Sequence, residues 1–171
     1  MAIPDFIDKY HLPDGDHECT MEEIEGKFLF SEIRETKWRQ FKSMLIRMGE
    51  LGIKPKKVLI NGSFVTGREE PGDVDFAALI PPETVLEALE NAEDDHDKSG
   101  IELFMGEQNQ LALRNLFGAH LLIADTEEAF SYWSSVFRRG LSGKLREPDP
   151  LKDPDWVLRP DFKGILKVTL E

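Results

Sequence analysis

Residues 61–76 read NGSFVTGREEPGDVDF, and in this stretch nine residues separate a Gly-Ser turn from a pair of aspartates. The apolar residues 57–61 before it predict a short buried strand, and residues 73–80 predict a second one. Since side chains alternate across a strand, Asp73 and Asp75 are expected on one face of the sheet. The stretch therefore predicts two strands, with a Gly-rich turn between them and two carboxylates at the start of the second.

Paired carboxylates near a Gly-Ser turn are typical of a site for phosphate and metal. Asp73 and Asp75 would repel each other unless a cation lay between them, and Mg²⁺ prefers such oxygen ligands together with substrate phosphates. Gly62 and Ser63 directly follow a strand, so their amides and the hydroxyl can approach phosphate oxygens. Arg68 is a candidate phosphate ligand because it is close to them in the sequence. These residues together predict a site for a metal-bound triphosphate.

Each part of this pattern also has a purely structural interpretation. Gly-Ser can be a plain turn, residues 71–73 can form a hairpin loop, and strand carboxylates can face water. A rival phosphate motif, the P-loop, fits residues 62–67 as G-x-x-x-x-G, but Arg68 and Glu69 stand where Lys and Ser or Thr are required. The combination of strand, Gly-Ser, gap and Asp-x-Asp favours the functional interpretation.

The whole chain sets limits on these hypotheses. A length of 171 residues predicts a single domain, 1–171, that can bury a core without disulfides. A formal net charge of −12 argues against non-specific DNA binding, which needs a basic face. Cys19 is the only cysteine, the first residues lack the features of a signal peptide, and no apolar run approaches the ~20 residues of a membrane span. We therefore expect a cytoplasmic protein that does not enter a membrane.

The remaining pattern predicts an α/β (α+β) protein. A turn-rich N-terminal segment, 1–19, precedes the first helix, and a Pro- and Gly-rich loop, 140–163, precedes a final strand that returns to the sheet. Asp125 is expected to cap the last helix, because Glu128 stands at the capping-box distance. Residues 93–97 are interpreted as a solvated acidic helix end. Helices are predicted at 20–28, 31–49, 83–92, 111–116 and after residue 125, and strands at 57–61, 73–80, 119–124 and 164–170.

The central motif resembles that of a known superfamily. Gly62-Ser63 followed by Asp73-Val74-Asp75 is similar to the motif of the DNA polymerase beta-like nucleotidyltransferases, in the minimal form of MNT-type antitoxins and AbiEii-like proteins. Flanking segments extend the likeness to small bacterial and phage proteins of this type, over nearly the whole chain. These segments are residues 12–15 with 20–23, 62–66, 71–75 and 163–165.

The resemblance implies a nucleotidyltransferase-like mixed β-sheet flanked by helices. It also implies two Mg²⁺ ions, with Mn²⁺ as the alternative, held by the paired aspartates and by a third carboxylate on a neighbouring strand. Asp73 and Asp75 carry over as catalytic metal ligands, and Gly62 and Ser63 as the triphosphate cradle.

The third carboxylate does not carry over. The neighbouring strand is expected at 119–124, and the position that should hold Asp or Glu is occupied by His120. Imidazole can ligate a metal, so His120 is a candidate ligand, but Mg²⁺ prefers oxygen and the case for ordinary two-metal catalysis is weaker. A partly buried or surface strand histidine is the structural alternative.

Two hypotheses about function follow. The first is a minimal nucleotidyltransferase that uses Mg²⁺ and an NTP, with ATP expected, to transfer a nucleotidyl group to a hydroxyl of a protein, an RNA end or a small molecule. The alternative is a catalytically degenerate nucleotidyltransferase-fold binding module that acts as an antitoxin-like or phage-defence partner. His120 and the shortness of the chain motivate the alternative.

Overall fold

The structure of the protein is a computed structural model that describes residues 3–139 and 162–170. Its five strands are β1 (Gly15–Glu18), β2 (Lys57–Asn61), β3 (Val74–Leu79), β4 (Ala119–Ala124) and β5 (Gly164–Thr169). They form one mixed sheet in the order β1-β5-β2-β3-β4. β2 runs antiparallel to both of its neighbours, β3 and β5, whereas β1 pairs with β5, and β4 with β3, in parallel.

Helices cover both faces of this sheet. Within the described residues they are α1 (Met21–Phe28), α2 (Glu32–Glu50), α3 (Pro82–Asn91), α4 (Asp95–Met105), α5 (Gln110–Phe117) and α6 (Glu127–Arg138). Because side chains alternate along a strand, Val58 and Ile60 enter the larger core with residues of α1 to α5, while Leu59 packs with residues of α6 on the other face. The predicted α+β class, with a mixed sheet flanked by helices, is confirmed.

The first two helices begin where the sequence predicts. The Thr20 hydroxyl accepts a hydrogen bond from the Glu23 amide at 3.1 Å, and the Glu23 carboxylate accepts one from the Thr20 amide at 3.2 Å, which completes the predicted capping box. Ser31 caps α2 by accepting a bond from the Arg34 amide. The apolar stripe of α2 is buried, including Trp38 and the residues that follow at helical spacing.

Two predictions at helix ends are wrong. Asp125 does not cap α6, because the hydroxyl of Thr126 accepts the hydrogen bond from the Ala129 amide, and Asp125 is exposed beside it. The acidic stretch 93–97 is mostly exposed, as its interpretation as a solvated segment requires, but it begins a helix instead of ending one, since Asp94 accepts a bond from the Asp97 amide at 2.9 Å and caps α4. In both places more than one oxygen could serve as the cap, and the sequence alone did not select between them.

The strands nearest the two ends of the chain are β1 and β5, and only one of them was predicted. The predicted final strand is confirmed as β5, which lies between β1 and β2. β1 falls in the segment expected to be only turns; its four residues pair with β5 alone, and a strand this short has no alternating pattern to reveal it.

In the predicted loop 140–163, residues 140–161 lie outside the described residues. None of the described helices combines the length and the apolar character needed to cross a bilayer.

Candidate functional site

Three polar residues form a row across β2, β3 and the edge strand β4, near the start of β3. Asn61 on β2 stands opposite Asp75 on β3, and Asp75 stands opposite His120 on β4. Residues that stand opposite each other point to the same face, so the three side chains share the face that α6 covers further along. The prediction that residues 119–124 neighbour the Asp-x-Asp strand, with His120 beside Asp75, is confirmed.

Gly62 brings the turn directly against the carboxylate of Asp75. Its φ of +85° lies in the left-handed region, where residues with a Cβ are strained. A Cβ built on Gly62 would also meet Asp75 Oδ2 at 2.7 Å and its carboxyl carbon at 3.2 Å. The backbone conformation therefore favours glycine at this position, and a Cβ here would force the Asp75 carboxylate to move.

Ser63 joins the two halves of the motif. A short 3-10 helix (Ser63–Val65) follows Gly62, and the Val65 amide donates to the Gly62 carbonyl at 3.1 Å. The Ser63 hydroxyl accepts a hydrogen bond from the Gly72 amide at 2.7 Å. Residues nine positions apart are thereby held together, and Asp73 lies next to the Gly-Ser turn because it follows Gly72.

A buried arginine on α2 holds the loop after this turn. The side chain of Arg34 is fully buried, and burial lowers its pKa to about 9, so it keeps its charge at neutral pH. Within the described residues its guanidinium donates only to backbone carbonyls, four of them in the loop 63–68. The acceptors are Arg68 at 2.7 Å, Phe64 at 2.7 Å, Thr66 at 2.6 Å, Ser63 at 3.4 Å and Phe28 at 3.2 Å. Satisfied buried hydrogen bonds of this kind fix the path of a loop.

Phe64 anchors the same loop in the larger core. Its ring stacks on the ring of Trp38, with centroids 5.5 Å apart and an interplanar angle of 8°, and it also contacts the ring of Phe28. The guanidinium of Arg34 lies 5.1 Å from the Phe64 ring centroid. The Gly-Ser turn therefore rests on a rigid base of aromatic packing and carbonyl hydrogen bonds.

Asp73 is engaged by a residue of α5. Arg114 Nε donates to Asp73 Oδ2 at 2.6 Å, and the Asp73 side chain is 28% exposed. A charge-assisted bond this short orients the carboxylate towards α5 and compensates its charge.

The carboxylate of Asp75 is less well satisfied. Its Oδ1 atom is buried and has no hydrogen-bond partner among the described residues, and the same holds for Oδ1 of Asn61. His120 Nδ1 lies 3.6 Å from Asp75 Oδ1, which is within ion-pair range but too long for a hydrogen bond. Two buried oxygens without partners beside a histidine are unusual in a plain sheet, because a buried oxygen atom normally has a partner.

Arg68 lies at the far end of the loop that Arg34 holds. Only 7% of its surface is exposed, its carbonyl accepts the bond from Arg34, and its amide donates to the Thr66 hydroxyl at 3.2 Å. The phosphate-binding role of its side chain stays a prediction.

The fit to a metal ion is partial. Within residues 3–139 and 162–170, no three His, Cys, Asp or Glu side chains are grouped so that they could hold a metal ion. Asp75 and Asn61 nevertheless offer unpaired carboxylate and amide oxygens, which are ligands that a hard divalent cation prefers. The carboxylate of Asp73 is held towards α5 by Arg114, and the residue opposite Asp75 on β4 is His120 and not an acidic residue.

The sequence analysis missed three residues of this site. Arg34 had a local signal, because it stands on the apolar stripe of α2, four residues before Trp38 and seven before Phe41. Arg114 had none, since it meets Asp73 across 41 residues of sequence. Asn61 could have been found from strand alternation, which places it on the same face as Leu59.

Comparison with known proteins places the chain in a family. The chain belongs to DUF6932, a family of unknown function, whose model matches residues 4–150 and therefore includes every residue of the site. No curated protein and no solved structure matches the chain.

Proposed function

We propose that this chain is a minimal protein of the nucleotidyltransferase type, which binds an NTP with a divalent cation and transfers a nucleotidyl group to a hydroxyl acceptor. The observation that carries the proposal is the packing of Gly62 against Asp75, whose Oδ1 is buried without a hydrogen-bond partner in the described residues. A glycine with positive φ that packs against a carboxylate with an unpaired oxygen suits a backbone that approaches phosphate and an oxygen that binds a cation.

Each part of the site has a role in this proposal. The amides and hydroxyl of Gly62 and Ser63 hold the triphosphate, with Arg68 as a further candidate. Asp73 and Asp75 hold the cation, for which we propose Mg²⁺ or Mn²⁺. When bound, the cation would neutralise phosphate charge and favour the ionised form of the attacking hydroxyl. The rigid base under the turn supports this role, because a positioned cradle does not have to reorganise at the moment of reaction.

The acceptor and the cellular setting are part of the same proposal. ATP is the NTP we propose, and the acceptor is a hydroxyl of a protein, an RNA end or a small molecule. The formal charge of −12 supports a small or locally held nucleotide substrate in preference to non-specific binding of DNA. We propose that the protein acts in the cytoplasm.

A second candidate function is favoured by the residues around the proposed cation site. His120 stands opposite Asp75, where the resemblance implies a carboxylate, and Arg114 already compensates the charge of Asp73. Both features suit a catalytically degenerate member of the fold that works as a binding module, as an antitoxin-like or phage-defence partner.

Transfer of label from an NTP tests the leading proposal. The purified protein is incubated with Mg²⁺, cell extract and each NTP labelled at its α-phosphate, and the Asp73→Ala variant is run beside it. We expect labelled product with the wild type and its loss in the variant. Asp125→Ala is the matched control, because this aspartate is exposed and caps no helix.

Two results separate the candidates. Labelling that is unaffected by Asp73→Ala contradicts the catalytic assignment. Calorimetry with ATP and Mg²⁺ that detects no binding favours the binding module, whereas tight cation-dependent binding counts against a module that recognises only a protein partner.

A further inference from the structure

An ion pair between Arg114 and Asp73 lies at the edge of the proposed nucleotide site. Arg114 Nε donates to Asp73 Oδ2, and 44% of the arginine side chain is exposed. Within the described part of the chain, the terminal amino groups of Arg114 make no hydrogen bond. One side of the guanidinium therefore holds a carboxylate while its remaining donors face an open surface.

The backbone fixes this arginine close to the site. Gly118 ends α5 with a φ of +61°, and its amide donates to the Arg114 carbonyl at 2.8 Å. The carbonyl of Gly118 accepts a hydrogen bond from the Val74 amide at 3.2 Å, which ties the end of α5 to the start of β3. Arg114 thus stays beside Asp73 whichever partner its side chain holds.

A guanidinium and a divalent cation compete for Asp73. Both are positive, so binding of one to the same carboxylate weakens binding of the other. A phosphate group removes this conflict, because it gives the guanidinium a negatively charged partner that suits its planar array of donors. The proposed phosphate cradle adjoins the carboxylate that Arg114 holds, since the Ser63 hydroxyl accepts a bond from Gly72, the residue before Asp73.

We propose that Arg114 exchanges Asp73 for a phosphate of the bound nucleotide, which frees Asp73 to hold a divalent cation. This inference rests on the proposed function and adds a coupling to it. Without nucleotide the ion pair keeps cation affinity low, and with nucleotide the cation and the triphosphate strengthen each other's binding. Such coupling between two ligands is reciprocal by thermodynamic necessity.

The test measures two ligands separately on the Arg114→Gln variant. Mn²⁺ alone is titrated and followed by its electron paramagnetic resonance signal, and a non-hydrolysable ATP analogue is titrated by calorimetry at saturating Mn²⁺. Removal of a partly exposed ion pair is expected to tighten Mn²⁺ binding about twofold to fivefold. Loss of a charge-assisted bond to phosphate is expected to weaken binding of the ATP analogue about tenfold or more.

Effects in opposite directions distinguish this exchange from a structural role. Misfolding of the variant would weaken binding of both ligands together, and a general change in charge would also appear in Arg47→Gln, which removes a partly exposed arginine paired with Glu50 on α2. Arg114→Lys is expected to lie between the wild type and Arg114→Gln in both titrations, because lysine keeps the charge and loses the planar donors.

The two titrations distinguish a failure of the exchange from a failure of the proposed function. If the wild type binds both ligands and Arg114→Gln changes neither affinity, or weakens both equally, the exchange is overturned and the proposed function stands. If the wild type binds neither Mn²⁺ nor the ATP analogue, the proposed function fails and the exchange fails with it.

Discussion

Arg34 is the residue whose replacement should damage this fold most specifically. It is a fully buried guanidinium whose hydrogen-bond acceptors are all backbone carbonyls, most of them in the loop that carries the Gly-Ser turn. Methionine has a similar length and suits the aromatic surroundings, but it donates no hydrogen bond. Arg34→Met therefore removes the donor to these carbonyls, of which only that of Ser63 is known to keep a bond, from the Thr66 hydroxyl, while it disturbs the packing little.

The expected cost follows from the number of bonds. Each intramolecular hydrogen bond contributes about 1 kcal/mol net, and an oxygen left buried without a partner costs about 1–3 kcal/mol. The charged guanidinium no longer has to be desolvated in the variant, which offsets part of this loss. We expect the free energy of unfolding to fall by about 3–5 kcal/mol, which is a large fraction of the roughly 5–15 kcal/mol of a typical domain.

Urea denaturation and hydrogen exchange measure the two consequences. The loss should lower the urea midpoint by about 2 M for a slope of about 2 kcal/mol per M. Amides of the loop 63–68 should exchange faster, among them that of Gly67, which donates to the Tyr10 carbonyl at 3.0 Å. Arg47→Met is the control, since the side chain of Arg47 is partly exposed and its partner is 3.6 Å away. A loss below about 1 kcal/mol for Arg34→Met would refute the reasoning, because the bonds would then not support the loop.

Three further predictions concern the site and the surface. Gly62→Ala should lower the free energy of unfolding by about 1–3 kcal/mol in denaturation experiments, because alanine is strained at this φ and collides with Asp75. His120→Asp should raise the affinity for Mg²⁺ relative to Mn²⁺ in calorimetry, because it replaces a nitrogen ligand with oxygen; an unchanged ratio would place His120 outside the cation site. The hydrogen bond from Lys42 holds the pKa of Glu25 below its ordinary value of 4.5, so the stability it adds is present above that value and is lost as the pH falls through the lowered pKa. The difference in unfolding free energy between wild type and Glu25→Gln, within about 1 kcal/mol at pH 7, should therefore shrink at pH 3, and a difference that grows on acidification would contradict this sign.

Local signals in the sequence were sufficient for most of the fold. The Thr20 capping box, the alternation of β2 and β3 and the apolar stripe of α2 each arise from short-range periodicity, and the structure has these elements within one or two residues of the predicted bounds. The order of the strands could be only partly inferred. The position of β4 beside β3 was expected, whereas β1 depends on a partner strand about 150 residues later, and nothing near it in the sequence indicates that pairing.

Some contacts of the candidate site could be predicted from the sequence, and others could not. Gly62, Ser63, Asp73 and Asp75 lie within one loop and one strand, so their proximity could be predicted from spacing alone. The partner of Asp73 could not be, because Arg114 reaches it from another helix. Arg34 could be predicted only in part. Its position on an apolar stripe was visible in the sequence, but its hydrogen-bond acceptors are loop carbonyls that come within reach only when the loop is folded.

The central claim is that Gly62, Ser63, Asp73 and Asp75 form a site for a nucleoside triphosphate with a divalent cation. Calorimetric titration of the wild type and of Asp75→Asn with a non-hydrolysable ATP analogue, with Mg²⁺ or Mn²⁺ and with chelator, tests it most directly. Asparagine keeps the size of the side chain and removes the charge that the cation needs. The account predicts binding by the wild type that requires the cation and is at least about tenfold weaker in Asp75→Asn. Binding that persists in chelator, or that is equal in the two proteins, would contradict it.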